Sequence, residues 1–154
     1  MPEIKLAIDA MGGDNGPSIV IEALAQQLHE CVSHHFFVVG QSDSLTPLLQ
    51  QHGLHEHPQV TLINAEQVVH MDDKPGQALR SKPNSSMSVA LELLSKGEAD
   101  AVISGGNTGA LMAKAYFQLK TLPGVLRPAL MAALPNQQGG RSYLLDLGAN
   151  ASCD

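Results

Sequence analysis

The stretch ADAVISGGNTGALMAKAYF, residues 99–117, decides the fold that is predicted for this chain. A short apolar run at its start predicts a strand that ends at Ser104. A glycine-rich turn at 105–109 follows the strand, and a helical pattern follows the turn. The predicted apolar face of that helix consists of Met112, Ala115, Tyr116 and Leu119. A strand that passes through a glycine turn into a helix is one unit of an α/β fold.

The glycine-rich turn of this unit can bind an anion. Backbone N–H groups at the start of a helix point at a ligand there, and glycines allow the backbone to approach it closely. Asn107 or Thr108 can add a side-chain contact or cap the helix. The alternative is a turn whose glycines only form a tight corner. One such turn does not decide between these interpretations, so the rest of the chain must.

The composition describes a globular protein about the size of one domain. The chain has 154 residues, of which 44% are hydrophobic and 16% are charged. A net charge of −6, no Trp, two Tyr and three Phe argue against a nucleic-acid partner, which selects for a basic face or stacked aromatic rings. The apolar runs are far shorter than the roughly 20 residues of a membrane-spanning helix.

Cysteine and histidine do not form a metal-binding pattern. Cys31 and Cys153 have no metal or redox spacing, and we interpret them as reduced thiols of a cytoplasmic protein. His52, His55 and His57 are close in sequence, but no cysteine or carboxylate cluster completes a ligand set. We therefore expect a solvated turn here, and neither a metal nor a cofactor.

The order of apolar patterns along the chain is β-α-β-α-β, which predicts a parallel sheet with helices on both faces. The first three strands are predicted at 5–8, 36–40 and 60–63, with helices after Pro17 and around 45–53. Residues 66–84 show no period and are predicted to form a functional or mobile connection. A helix follows Ser85 and Ser86, with an apolar face at Met87, Ala90, Leu91 and Leu94. Residues 127–135 predict a buried strand, and residues 142–146 predict a strand of the core.

Four predicted strands end in polar or glycine-rich turns. The first turn runs from Asp9 to Asp14 and contains Gly12 and Gly13. The other three are at Gly40, at 104–109, and from Asp146 to Asn150. The carboxyl ends of parallel strands lie at the same edge of a sheet, so the turns should converge on a ligand cleft there. Asp9 and Asp14 could hold a metal or place a proton, but for Asp9 we expect mainly backbone N–H partners in its own turn.

Three cations, Lys74, Arg80 and Lys82, lie within nine residues of one another just before the predicted start of a helix at Ser85 and Ser86. They could neutralise an acidic ligand or an acidic protein surface, or they could belong to a solvated loop. The chain has no Gly-x-Ser-x-Gly elbow, no phosphate-binding loop of the Gly-x-x-x-x-Gly-Lys type, and no Gly-x-Gly-x-x-Gly fingerprint. Serine hydrolases and P-loop nucleotide hydrolases are therefore unsupported.

Five segments together resemble the PlsX phosphate acyltransferases of bacterial lipid synthesis. They are 8–14 (IDAMGGD), 82–87 (KPNSSM), 99–112 (ADAVISGGNTGALM), 127–130 (RPAL) and 144–150 (LLDLGAN). They occur in the order of that family and are distributed along nearly the whole chain. One difference is that the family commonly has Ala where this chain has Gly105.

The resemblance implies a three-layer α/β/α fold with a mainly parallel, Rossmann-like sheet related to phosphotransacetylases. It also implies transfer of a fatty acyl group from acyl carrier protein to inorganic phosphate, which gives acyl phosphate for phospholipid synthesis. A cytoplasmic homodimer is expected, with peripheral association with the membrane or with a membrane acyltransferase left open. Residues 1–154 are expected to be the N-terminal part of a single, longer acyltransferase domain.

This chemistry assigns expected roles to the candidate residues. Asn107 and Thr108, with Ser104, Gly105, Gly106 and Gly109, are expected to bind phosphate or the developing oxyanion. Ser85 and Ser86 are further binding candidates, and Arg80 or Lys82 would offset charge. Asp9, Gly12, Gly13, Asp14, Asp146 and Asn150 are expected to line or shape the cleft. The alternatives are a phosphate- or nucleotide-binding domain without catalysis, or a fold related to dehydrogenases.

Overall fold

A computed structural model describes residues 3–30, 33–126 and 128–145 of the chain. The strands are β1 (Ile4–Asp9), β2 (His34–Gly40), β3 (Val60–Asn64), β4 (Ala101–Ser104), β5 (Met131–Pro135) and β6 (Arg141–Leu145). The helices are α1 (Pro17–Glu30), α2 (Ser42–Gln51), α3 (Pro75–Ser81), α4 (Ser86–Ser95) and α5 (Thr108–Leu119). The chain divides into two compact units, Met1–Leu119 and Lys120–Asp154.

The first unit is built on a four-stranded parallel sheet in the order β3-β2-β1-β4. The chain moves outward from β1 through β2 to β3 and then returns across the sheet to β4. Asp9 at the end of β1 lies opposite Ser104 at the end of β4. The carboxyl ends of β1 and β4, with the turns that follow them, therefore lie side by side.

Helices cover both faces of this sheet, which confirms the predicted three-layer arrangement. Successive side chains of a strand point to opposite faces. Ile8 therefore packs with Ile21 of α1 and Leu45 of α2, whereas its neighbour Ala7 packs on the other face with Ala90 of α4. The apolar face predicted for α4 is confirmed, because Met87, Ala90 and Leu91 are buried and Leu94 is half-buried.

Two local predictions for the first unit are wrong. The connection 66–84 contains the helix α3, which begins with Pro75 at a first-turn position and buries Ala78 against a small cluster with Met87 and Ala110. The face of α5 is also rotated from the predicted one. Ala110 and Lys114 are its buried residues, whereas Tyr116 and Leu119 are exposed. A buried lysine is unusual, and the predicted apolar face of this helix did not include Lys114.

The second unit contains a two-stranded antiparallel hairpin of β5 and β6, in which Met131 pairs with Leu145. Burial was predicted for both strands. The structure instead exposes Met131, Tyr143 and Leu145, because a hairpin of two strands has no layer of its own to cover its faces. In the part of the chain that the structure describes, no helix is long and apolar enough to cross a membrane.

Candidate functional site

Three of the four predicted turns meet at the carboxyl edge of the parallel sheet. A Cβ atom on Gly12 would lie 2.8 Å from the backbone nitrogen of Gly106, so the turns after β1 and β4 touch directly. On the other side, a Cβ atom on Gly40 would lie 2.7 Å from Cγ of Met11. Met87, at the start of α4, packs against the turn after β4, since its Cε would lie 3.3 Å from a Cβ on Gly106. We call residues 9–13 and 104–109 the glycine corner.

A chain of hydrogen bonds joins the two halves of the glycine corner. The Ser104 hydroxyl donates to Oδ2 of Asp9 at 2.7 Å, and the backbone N–H of Gly106 donates to Oγ of Ser104 at 3.1 Å. The expected backbone partners of Asp9 in its own turn are therefore replaced by a side chain of the neighbouring strand. The strand pairing causes this, since Asp9 and Ser104 are register partners.

The second carboxylate oxygen of Asp9 has no partner among the described residues. Asp9 is 3% exposed, and its Oδ1 atom is buried without a hydrogen bond. Buried carboxylate oxygens are normally satisfied, because removing them from water without a partner is costly. Oδ1 is therefore an unused acceptor inside the glycine corner.

Asn107 is held by contacts within the protein. Its Nδ2 lies 3.0 Å from the carbonyl oxygen of Met71, 2.9 Å from that of Asp73, and 3.3 Å from that of His70. Its Oδ1 accepts the backbone N–H of Ala110 at 3.0 Å, which caps α5. The side chain thus fastens the loop 70–73 to the start of α5, and its polar atoms face protein groups. A direct contact with phosphate through this side chain stays a prediction.

Gly105, Thr108 and Gly109 are the exposed part of the glycine corner. Thr108 begins α5, so the first N–H groups of that helix point into the corner and carry the positive end of its dipole. A Cβ on Gly105 would meet no atom within 4 Å, so an alanine fits at this position. Binding of an anion at this part of the corner stays a prediction.

Ser85 and Ser86 face the protein interior. Ser85 is 0% exposed and caps α4, because its Oγ accepts the backbone N–H of Ser88. The backbone N–H of Ser86 donates to the carbonyl oxygen of Gln67 at 3.0 Å. These contacts explain both serines as residues that build the start of α4, and binding of phosphate by them stays a prediction.

The three predicted cations have different surroundings. The ammonium group of Lys82 forms an ion pair with Asp73, and this hydrogen bond lowers the pKa of the Asp73 carboxyl. Arg80 is exposed, and its Nε donates to the carbonyl oxygen of Gly76 in the same helix. Lys74 precedes α3 and is also exposed. Lys82 therefore stabilises the loop, whereas Lys74 and Arg80 present their charges to solvent.

Sequence reasoning missed Lys114, which is 2% exposed. Its ammonium group donates to the carbonyl oxygen of Lys82 at 2.8 Å and to Oγ of Ser88 at 2.7 Å. Burial, and then the charge of Lys82, lower the pKa of Lys114. The available signal was its spacing, since Lys114 lies four residues after Ala110 and three after Leu111, on the face that packs against α4.

The remaining candidate residues belong to the turns after the first and the last predicted strand. Gly12 is buried, Gly13 has a φ of +99° that favours glycine, and Asp14 is exposed. Asp146 and Asn150 lie outside the described residues. Within the described ranges, no group of three His, Cys, Asp or Glu residues is placed to hold a metal ion.

A groove with a volume of about 500 Å³ leads to the glycine corner. Most of its walls are apolar, from Ile8 of β1, Ile19 and Leu24 of α1, and Ile103 of β4. Asp9 and Gly105 line it as well, so the groove and the corner are continuous. Its volume is in the range of sites for small molecules.

Comparison with known proteins identifies the family. Residues 4–154 match the model of a family described as "Fatty acid synthesis protein". The chain belongs to this family. A relative named phosphate acyltransferase from Idiomarina loihiensis is 68% identical over 154 residues, which are 100% of this chain and 45% of that protein. Another of that name, from Aeromonas salmonicida, is 54% identical over 149 residues, which are 97% of this chain and 44% of that protein.

These matches confirm the resemblance to the PlsX family. The chain spans less than half the length of the relatives named above. Among solved structures, the EutD phosphotransacetylase from Staphylococcus aureus has a TM-score of 0.62 at 17% identity, and the match covers 99% of this chain and 48% of that one. At this identity the likeness shows the fold alone, and it confirms the predicted fold class.

Proposed function

We propose that the full-length protein transfers a fatty acyl group from acyl carrier protein to inorganic phosphate. The observation that carries this proposal is the identity of 68% to a phosphate acyltransferase along the whole chain. The glycine corner supports it, because the start of α5 presents N–H groups where an oxyanion can bind. The continuous apolar groove supports an acyl substrate beside that anion.

The reaction needs positioning and charge stabilisation more than a protein nucleophile. A phosphate oxygen attacks the thioester carbonyl carbon, a C–O bond forms, the C–S bond breaks, and the phosphate proton ends on the released thiol. Holding the two reactants together lowers the entropic barrier, and N–H donors at the start of a helix stabilise the developing oxyanion. The glycine corner offers such donors at Thr108 and Gly109.

The experiment is an assay for acyl phosphate from acyl carrier protein thioester and phosphate, made with this chain and the full-length protein side by side. Formation of acyl phosphate that requires both substrates supports the proposal. A full-length protein that binds phosphate but forms no product would be a binding module instead. A protein that binds a dinucleotide and not phosphate would belong with the dehydrogenase alternative.

We further propose that Lys74 and Arg80 contribute to docking of the acidic carrier protein. Both side chains are exposed on α3 or directly before it, and α3 packs against α5, whose first residue lies in the glycine corner. Reversing both charges, with Lys74→Glu and Arg80→Glu, should raise the KM for the carrier protein, most strongly at low salt. The matched control is Lys5→Glu, an exposed lysine at the opposite end of β1. An unchanged KM at low salt would refute the docking role.

A further inference from the structure

We propose that Asp9 makes the glycine corner specific for phosphate that carries a proton, by accepting the P–OH hydrogen bond at Oδ1. This inference rests on the proposed function for the role of phosphate as the acyl acceptor. The selectivity for an ion can nevertheless be measured without any acyl transfer, so the two proposals can fail separately.

The unused oxygen of Asp9 is the first support. Its Oδ2 already accepts the Ser104 hydroxyl, while the buried Oδ1 accepts from no described residue. None of the described lysines and arginines forms an ion pair with Asp9. A hydrogen-bond donor from outside these residues, a ligand or a water molecule, can therefore satisfy Oδ1.

The glycine corner as a whole favours a ligand with both donors and acceptors. The start of α5 supplies N–H donors at Thr108 and Gly109, whereas the carboxylate of Asp9 only accepts. Hydrogen phosphate matches this mixed set, since its P–O oxygens accept hydrogen bonds and its P–OH donates one. Sulfate has the same shape and several acceptors but no proton at neutral pH, so it would place an oxygen against the carboxylate. Specificity of this kind comes from repelling the wrong ion.

The ion can approach the corner through the groove that Asp9 and Gly105 both line. Because Oδ1 is buried, a group that covers it has to move before the P–OH group reaches it. Gly12 and Gly13 lie in the same turn as Asp9 and have no side chains, and Gly13 has a φ of +99°. These glycines therefore allow both the close contact seen here and the movement that binding requires.

The test compares phosphate and sulfate binding to the full-length protein by titration calorimetry at neutral pH. The wild-type protein should prefer phosphate by at least about tenfold, the ratio expected when a buried charged acceptor gains or lacks its donor. Asp9→Asn keeps the size of the side chain and an oxygen for Ser104 but replaces the free acceptor by an N–H donor. This variant should lose most of the preference, with phosphate binding weakened and sulfate binding unchanged or strengthened.

The matched control is Asp43→Asn, which changes an exposed carboxylate in the first turn of α2 and should keep the wild-type ratio. Equal binding of phosphate and sulfate by the wild-type protein would overturn the proposal without any variant. Equal weakening of both ions in Asp9→Asn would also overturn it, because a purely structural role predicts that result. Acyl phosphate formation is assayed separately, so an ion preference without transfer would refute only the proposed function.

Discussion

Substituting Gly12 by alanine tests how closely the turns after β1 and β4 depend on each other. The new Cβ would lie 2.8 Å from the backbone nitrogen of Gly106, 2.9 Å from Oδ2 of Asp9 and 3.0 Å from Cα of Gly106. Two of these atoms belong to the backbone of the facing turn and cannot rotate away. We therefore expect Gly12→Ala to push the two turns apart.

The size of the effect follows from this contact. Forcing a methyl group into a packed contact costs roughly 1–3 kcal/mol of unfolding free energy. For a domain of about 150–250 residues, each kcal/mol lowers the melting temperature by roughly 2–4 °C. Gly105→Ala is the matched control in the neighbouring turn, because its Cβ would meet no atom within 4 Å. Its effect should stay within about 0.5 kcal/mol.

The assay is thermal and urea unfolding of both variants in the full-length protein, with the KM for phosphate measured in parallel. Gly12→Ala should unfold earlier and bind phosphate more weakly, because the displaced turn carries Asp9 and faces the start of α5. Gly105→Ala should match the wild type in stability. Equal stability of the two variants would refute the close contact between Gly12 and Gly106.

Three further variants test the neighbouring contacts. Asn107→Ala removes the cap of α5 and the donor to loop 70–73, so it should lower the free energy of unfolding by roughly 1–3 kcal/mol. It should also speed amide hydrogen exchange in that loop, and unchanged exchange would contradict the role of Asn107 in holding the loop. Burial lowers the pKa of Lys114 from the ordinary 10.5, so the folded protein binds fewer protons than the unfolded one at alkaline pH. The wild type should therefore gain stability relative to Lys114→Met as the pH rises toward 10.5, which urea unfolding at several pH values can measure. Parallel plots of unfolding free energy against pH for the two proteins would argue against a buried ammonium. The Lys82 hydrogen bond lowers the pKa of Asp73 from 3.8, so the stability from this pair is present above pH 3.8 and is lost as the pH falls through the lowered value. Asp73→Asn should abolish that loss in acid unfolding, and an identical acid profile would exclude the contribution of the pair.

Much of the first unit was predictable from local patterns. The parallel sheet follows from short apolar strands that alternate with helical segments, and Pro17 and Ser85 mark helix starts with known chemistry. The convergence of the turns follows from the same alternation, because parallel strands end at a common edge. These features depend on residues that are close in sequence.

The wrong predictions concern features that depend on distant residues. Lys114 lies on the buried face of α5 because the Lys82 carbonyl and Ser88 provide polar partners there, and nothing in the local pattern of α5 indicates them. The hairpin of β5 and β6 is exposed although its residues are apolar, since periodicity describes the strands but not the layer that covers them. The helix α3 is short, and only packing of Ala78 against α4 and α5 reveals it as an element.

The sequence by itself determined the class of the fold and the family, and it predicted the stretch at 99–117 as the centre of an anion site. Strand order, glycine turns and family motifs are all properties of short segments, which a sequence displays directly. Only the tertiary structure decided what each polar atom of the site contacts. It directed Asn107 to the loop 70–73, joined Asp9 to Ser104 across two strands, and left Oδ1 of Asp9 without a partner among the described residues. The reason is physical: hydrogen bonds are made in space between residues up to 95 positions apart in the chain.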